Sequence, residues 1–213
     1  MSLVLMFLSS LLIAYSGALM PGPMLTVVIA ETPRQGARAG PLVVLGHAIL
    51  ELTLLVLLVI GLGPLLKHPS VQAVLQIVGG LMLIWTAVSM IVALVRDRVS
   101  IDWEGVSGGS KTRAVLLGIV SSLANPYWML WWATIGLGLI TKAYALGVAG
   151  LVAFYLGHIT GDLTWYSLVS GAIAAGKRFI TPRVYRTMLS VAAAFLIVLA
   201  TWFLTSGIRT ALR

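Results

Sequence analysis

The sequence predicts an all-α integral membrane protein whose six transmembrane helices form two inverted halves of three helices each. Three observations predict this fold. The 213 residues are 60% hydrophobic and 9% charged, whereas a soluble domain carries about 25% charged residues. The hydrophobic residues occur in continuous runs, each long enough to cross a bilayer. A polar motif in the first half of the chain also returns in the second half.

The apolar runs divide the chain into six predicted spans: 3–30, 40–66, 71–95, 113–140, 145–173 and 185–208. Only helices and closed barrels satisfy every backbone group in lipid. Barrel strands would alternate in hydrophobicity over about ten residues, and these runs do not alternate. We therefore expect a single membrane domain with a first three-helix repeat (1–95), a cytoplasmic linker (96–112) and a second three-helix repeat (113–213).

The basic residues predict the orientation of the spans. Of the 14 lysines and arginines, ten lie in the loops that follow spans one, three and five. Cytoplasmic loops carry the excess of Lys and Arg, so loops 1–2, 3–4 and 5–6 are expected in the cytoplasm and both termini outside. The net charge of +8 is then a signal of topology, and no nucleic-acid partner is expected.

The composition also excludes several kinds of chemistry. The chain has no cysteine, which excludes disulfides and thiolate metal sites. The stretch Gly105–Thr112 is close to a nucleotide-binding P-loop, but Ser110 stands where that motif has glycine and no strand precedes it. We therefore expect a flexible linker there, no cofactor, and no use of ATP.

The internal repeat lies in spans two and five. Gly46-His47 and Glu51-Leu-Thr in the first half correspond to Gly157-His158 and Asp162-Leu-Thr, 111 residues later. A repeat of three helices must enter the membrane upside down in its second copy. Inverted repeats place equivalent residues around a pseudo-two-fold axis in the membrane plane, as in many secondary transporters.

The first span of each half contains a helix break, at Pro21-Gly22-Pro23 and at Asn125-Pro126. Proline removes a helical hydrogen bond and disfavours the α conformation of the residue before it, and Asn125 can cap a restarted helix. A restarted helix presents free amides that suit a carboxylate. We predict a substrate site of Pro21, Gly22, Pro23, Asn125, Pro126 and Tyr127. The alternative is a pair of proline kinks packed by neighbouring helices.

Two carboxylates lie deep in the predicted spans. Burying Glu51 or Asp162 in lipid costs about 2–4 kcal/mol, so both are predicted to carry a coupling proton or to neutralise a substrate amine. His47 and His158 precede them by one helical turn on the same face and are candidates for the same role. The alternative is that these residues form hydrogen-bonded pairs that join helices. The Trp and Tyr residues after Asn125 are interpreted as an interfacial aromatic belt, and Glu31 is expected at the membrane interface.

These motifs resemble the lysine-exporter family of amino-acid efflux proteins. The resemblance rests on Met20-Pro21-Gly22-Pro23, Gly36 and Gly40, Asn125-Pro126 and the Gly-His-x-x-x-Glu stretch at Glu51. It implies export of amino acids or similar small metabolites, coupled to protons, across a prokaryotic cytoplasmic membrane. Tyr127-Trp128 replaces the lysine that many members carry after Asn-Pro, and no Pro-Gln-Phe run follows Leu137. The chain therefore looks like a divergent branch, and lysine, threonine or homoserine cannot be assigned as its substrate.

The leading hypothesis is a secondary exporter with a small-molecule substrate, protons and the lipid bilayer as its partners; the sequence leaves a homo-oligomer open. It assigns no catalytic residue and no metal ligand. The alternative is a divalent-cation exporter with His47, Glu51, His158 and Asp162 as ligands, since imidazoles and carboxylates suit zinc or manganese. An intramembrane enzyme is disfavoured because the sequence has no nucleophile motif and no reason to duplicate an acid–histidine pair.

Overall fold

A computed structural model of the chain describes residues 2–62, 68–96, 109–176 and 181–212. These residues are almost entirely helical and include no β-strand, which confirms the all-α prediction for the described part of the chain. Most of the predicted linker 96–112, together with Lys177 and Arg178 of the predicted loop 5–6, falls outside the described residues.

In the first half the helices are α1 (Leu3–Ala18), α2 (Pro23–Gln35), α3 (Ala39–Leu57, continued by a π-helical turn, Leu58–Leu62) and α4 (Pro69–Val95). In the second half they are α5 (Lys111–Leu123), α6 (Pro126–Trp131, continued by a π-helical turn, Trp132–Gly136), α7 (Leu137–Tyr144), α8 (Gly147–Ala175) and α9 (Pro182–Ala211).

Both predicted interruptions are ends of helices. Helix α1 ends at Ala18, and α2 begins at Pro23 with Gly22 at its N-cap. Helix α5 ends at Leu123, and α6 begins at Pro126 with Asn125 at its N-cap. The second interruption bends the helix pair by 64°. Proline at the first helical position suits both restarts, because that position needs no amide donor.

Within the described ranges, three stretches are long and apolar enough to cross a membrane: Pro23–Gly61, Pro69–Val95 and Leu189–Ala211. The bent pair Lys111–Leu123 and Tyr127–Tyr144 provides a fourth if it counts as one span, and Leu3–Ala18 is a shorter apolar helix. The chain therefore has the helices of an integral membrane protein. The arrangement as six spans remains a prediction.

The two halves pack closely against each other. Helix α4 runs along α9, α1 along α8, and α3 along α5. A side chain on Gly46 would collide with the carbonyl of Val115 on α5, and one on Gly157 would collide with the carbonyl of Phe7 on α1. Gly46 and Gly157 are equivalent in the repeated motif, and each lets the backbone of the other half approach. An inverted repeat predicts this exchange of partners.

The connection between α2 and α3 depends on glycine for another reason. Gly36 adopts φ 63° and ψ −149°, which is outside the helical region and favours glycine. No atom lies near its missing side chain, whereas a side chain on Gly40 would collide with the backbone of Tyr166 on α8. Gly36 therefore breaks the helical geometry between α2 and α3, and Gly40 permits the close packing of α3 on α8.

Candidate functional site

Helices α3 and α8 bring the four predicted polar residues together. His47 and Glu51 are one turn apart on α3, and His158 and Asp162 are one turn apart on α8. All four side chains are buried, and one nitrogen or oxygen atom from each lies within 4.8 Å of those from the others. We call these residues the tetrad. The repeated motif therefore places its equivalent residues at one position between the two halves, while their role in transport stays a prediction.

Each imidazole of the tetrad faces both carboxylates. His47 Nε2 lies 3.0 Å from Glu51 Oε1 and 3.6 Å from Asp162 Oδ2. His158 Nε2 lies 3.2 Å from Glu51 and 3.5 Å from Asp162 Oδ2. The acids therefore do not pair only with the histidine of their own helix. Each carboxylate lies near both histidine nitrogens, one from each half of the chain.

Hydrogen bonding fixes the orientation of the His47 ring. His47 Nδ1 lies 2.7 Å from Ser122 Oγ on α5, and the same hydroxyl donates to the carbonyl of Gly118 at 2.7 Å. A hydroxyl has one proton, so a Ser122 hydroxyl that donates to Gly118 accepts from Nδ1. In that tautomer the lone pair of His47 Nε2 faces both carboxylates, where a proton or a cation can bind.

Two indoles hold the Glu51 carboxylate. Trp128 Nε1 and Trp132 Nε1 each donate to Glu51 Oε1 at 2.9 Å. The two side chains are 9% and 0% exposed, so the interpretation of them as an interfacial belt was wrong. Their spacing of four residues, on one face directly after the Asn125-Pro126 break, was the available signal.

The tetrad lies on a cavity of about 40 Å³. Asn125, Tyr127, Met24 and Ser122 also line it, so two of the predicted substrate-binding residues reach the tetrad. Pro21, Gly22 and Pro23 are not in the lining, and the side chain of Pro126 falls outside the described set.

The two helix breaks nevertheless meet beside this cavity. A side chain on Gly22 would come within 3.6 Å of Asn125 Nδ2. Asn125 Oδ1 accepts from the Tyr127 amide at 3.1 Å, so α6 is capped by its own residue. Helix α2 has no side-chain cap at Gly22. The amides of its first turn, Met24 and Leu25, therefore have no intrahelical acceptor, and the Asn125 amide group adds a third donor nearby.

Glu31 forms a second buried charged group, apart from the cavity lining. Its side chain is 2% exposed and lies 3.2 Å from Arg34 Nη1 and 3.3 Å from Arg113 Nη2. The neighbouring Gln35 donates to the carbonyl of Ser110 at 3.1 Å. These contacts tie the end of α2 to the start of α5, so Glu31 is buried between the halves, and its expected position at the membrane interface stays a prediction.

The profile of the LysE type translocator family matches residues 15–207. The match covers both helix breaks and the whole tetrad. The chain belongs to the LysE type translocator family. No curated protein and no solved structure matches it. As a LysE type translocator with long apolar helices, it is an integral membrane protein that moves a small-molecule substrate.

Proposed function

We propose that this LysE type translocator is a secondary exporter of amino acids or similar small metabolites, driven by protons. One observation carries the proposal: the tetrad and Asn125 of the second helix break line one cavity, and Gly22 of the first break lies beside Asn125. Hydrogen-bond donors for an anion and carboxylates for a cation thus belong to one site. An amino acid carries one group of each charge.

The uncapped start of α2 suits the substrate carboxylate. The free amides of Met24 and Leu25 and the positive end of the helix dipole attract an anion. Asn125 Nδ2 lies beside Gly22 and supplies a donor from the other half. Because α6 is already capped by Asn125, the first break rather than the second is the proposed carboxylate site.

The tetrad suits the positively charged groups of the proposed cycle, which are the substrate amine and the coupling proton. Glu51 and Asp162 carry the negative charge, and His47 Nε2 lies 3.0 and 3.6 Å from them, a position in which a proton can be held or exchanged for a cation. We propose that the substrate amine and the coupling proton use these carboxylates in alternation. Since each half supplies one acid and one histidine, rocking of the halves would expose the site to one side at a time.

The proposed setting is the cytoplasmic membrane of a prokaryote, with loops 1–2, 3–4 and 5–6 in the cytoplasm. The basic residues of those loops support this orientation. Exposed Arg38 and half-exposed Arg186 on the described part of the chain belong to this group. A proton gradient directed into the cell would then drive export.

The test is efflux from proteoliposomes loaded with a mixture of labelled amino acids, with and without an imposed pH gradient. We expect gradient-dependent efflux of part of the mixture. Glu51→Gln and Asp162→Asn should each abolish its dependence on the gradient. Glu31→Gln is the matched control, because it removes the other buried glutamate, which does not line the cavity.

Normal efflux with normal gradient dependence in both tetrad variants would contradict the role of the acids. Absence of efflux for every amino acid in the wild-type protein, in vesicles shown to contain folded transporter, would contradict the substrate class.

A further inference from the structure

The tetrad has the ligand types of a transition-metal site. It presents two imidazole nitrogens and two carboxylate oxygens, all buried and all within 4.8 Å of one another. Imidazole and carboxylate are common ligands of zinc in proteins. Two carboxylates also balance the charge of a divalent ion, so the occupied centre would be neutral, as a buried site requires.

The nitrogen–oxygen distances in the tetrad agree with those between zinc ligands, and all four ligand atoms lie within 4.8 Å of one another. Bonds of about 2.0–2.2 Å to zinc place the corners of a tetrahedron about 3.3–3.6 Å apart. The four nitrogen–oxygen separations in the tetrad are 3.0, 3.6, 3.2 and 3.5 Å.

The hydrogen bonds behind His47 are those of a metal-binding histidine. A ligating imidazole donates its other ring N–H to a neighbouring acceptor, which fixes the tautomer. His47 Nδ1 lies 2.7 Å from Ser122 Oγ and can donate in this way, since that hydroxyl has the Gly118 carbonyl as its own acceptor at 2.7 Å. With the proton on Nδ1, the lone pair of Nε2 faces both carboxylates.

Two carboxylate oxygens of the tetrad are also poorly satisfied by hydrogen bonds. The two indoles already occupy the two lone pairs of Glu51 Oε1, yet both imidazoles point at the same oxygen. Glu51 Oε2 and Asp162 Oδ2 are buried and accept no well-formed hydrogen bond from the described residues, although imidazole nitrogens lie 3.2–3.6 Å away. Buried acceptors without a donor are costly. A cation at the centre would satisfy both oxygens at once.

We propose that His47, Glu51, His158 and Asp162 bind a divalent transition-metal ion of the zinc class in tetrahedral geometry. The proposed metal site uses the same four residues as the proposed function. The carboxylates that were assigned a proton or a substrate amine would then also bind a metal ion. The metal site does not depend on which organic substrate is carried. Binding can be measured without transport, so failure of one proposal is separable from failure of the other.

The experiment is titration of the purified full chain, in detergent, with Co²⁺ followed by Zn²⁺. Tetrahedral Co²⁺ absorbs visible light far more strongly than the octahedral aqua ion, and Zn²⁺ should displace it. We expect one ion per chain with the tetrahedral spectrum. His47→Gln and His158→Gln should each weaken binding at least a hundredfold.

His68→Gln is the matched control, because His68 is the third of the three histidines and is exposed at the start of α4. It should bind Co²⁺ like the wild type. Unchanged binding in both tetrad variants, or an octahedral spectrum in the wild type, would overturn the proposal. If the variants do not fold, thermal unfolding of the wild-type protein is measured with and without Zn²⁺. A thermal midpoint that does not rise with added Zn²⁺ contradicts a site in the folded state.

Discussion

His47 Nδ1 lies 2.7 Å from the Ser122 hydroxyl oxygen, and this contact joins the second helix of one half to the first helix of the other. Ser122→Ala removes the acceptor and frees the imidazole to rotate or to change tautomer. Loss of such a supporting contact lowers metal affinity about 10–100-fold. We expect that loss in a Co²⁺ titration, while Ser121→Ala should bind normally, because Ser121 bonds only to its own helix.

The two indoles that hold Glu51 lead to a second prediction. Trp128→Phe and Trp132→Phe each keep an aromatic ring and delete one donor to the carboxylate. A hydrogen bond to a charged group contributes about 1.5–3 kcal/mol, so each variant should lose at least about tenfold in initial efflux rate. Trp165→Phe is the control, because this tryptophan does not line the cavity and its indole N–H has no hydrogen-bond partner among the described residues. Equal losses in all three variants would assign the effect to packing.

The glycines of the repeated motif allow a test of the contact between the halves. Gly46→Ala and Gly157→Ala introduce a methyl group against a backbone carbonyl, and such overpacking costs about 1–3 kcal/mol. We expect lower thermal midpoints for both. Gly171→Ala, in the same helix as Gly157 but with open space around it, should be neutral or stabilising by about 0.5–1 kcal/mol. A midpoint that falls for Gly171→Ala and not for the others would contradict the packing described above.

The ion pair between Glu31 and Arg113 is the fourth relationship to test. Arg113 is about half exposed and Glu31 is buried, so the coupling should be modest, on the order of 1 kcal/mol. A double-mutant cycle with Glu31→Gln and Arg113→Gln, followed by thermal unfolding, measures it. The same cycle with Arg38, which is exposed, in place of Arg113 should give a coupling near zero.

The predicted orientation can be tested because the chain has no cysteine. Single variants Arg38→Cys and Lys142→Cys place thiols at two exposed positions that the basic-residue rule assigns to opposite sides. A membrane-impermeant maleimide should label Lys142→Cys in intact cells and Arg38→Cys only after permeabilisation. Labelling of both in intact cells would refute the predicted topology.

The tetrad and the helix breaks could be predicted from the sequence because their signals are local. Glu51 and Asp162 stand out as acids within apolar runs, and Pro21 and Asn125-Pro126 change the backbone wherever they occur. The repeated motif even indicated that the two acids would be equivalent.

Other parts of the site could not be predicted in this way. Ser122, Trp128 and Trp132 act through contacts with residues 75 to 81 positions away, which depend on how α5 and α6 pack against α3. The same holds for Glu31, whose burial depends on Arg113 in the other half. Hydropathy reports that a residue is in or near the membrane, but not which helix it faces.

The size of the cavity has a consequence for the transport cycle. A volume of about 40 Å³ has room for about three water molecules, which is less than the smallest amino acid needs. The space beside the tetrad therefore suits protons, water or a single ion as it stands. A larger substrate would need this space to widen, and the close backbone contacts at Gly46 and Gly157 are places where the two halves would have to give.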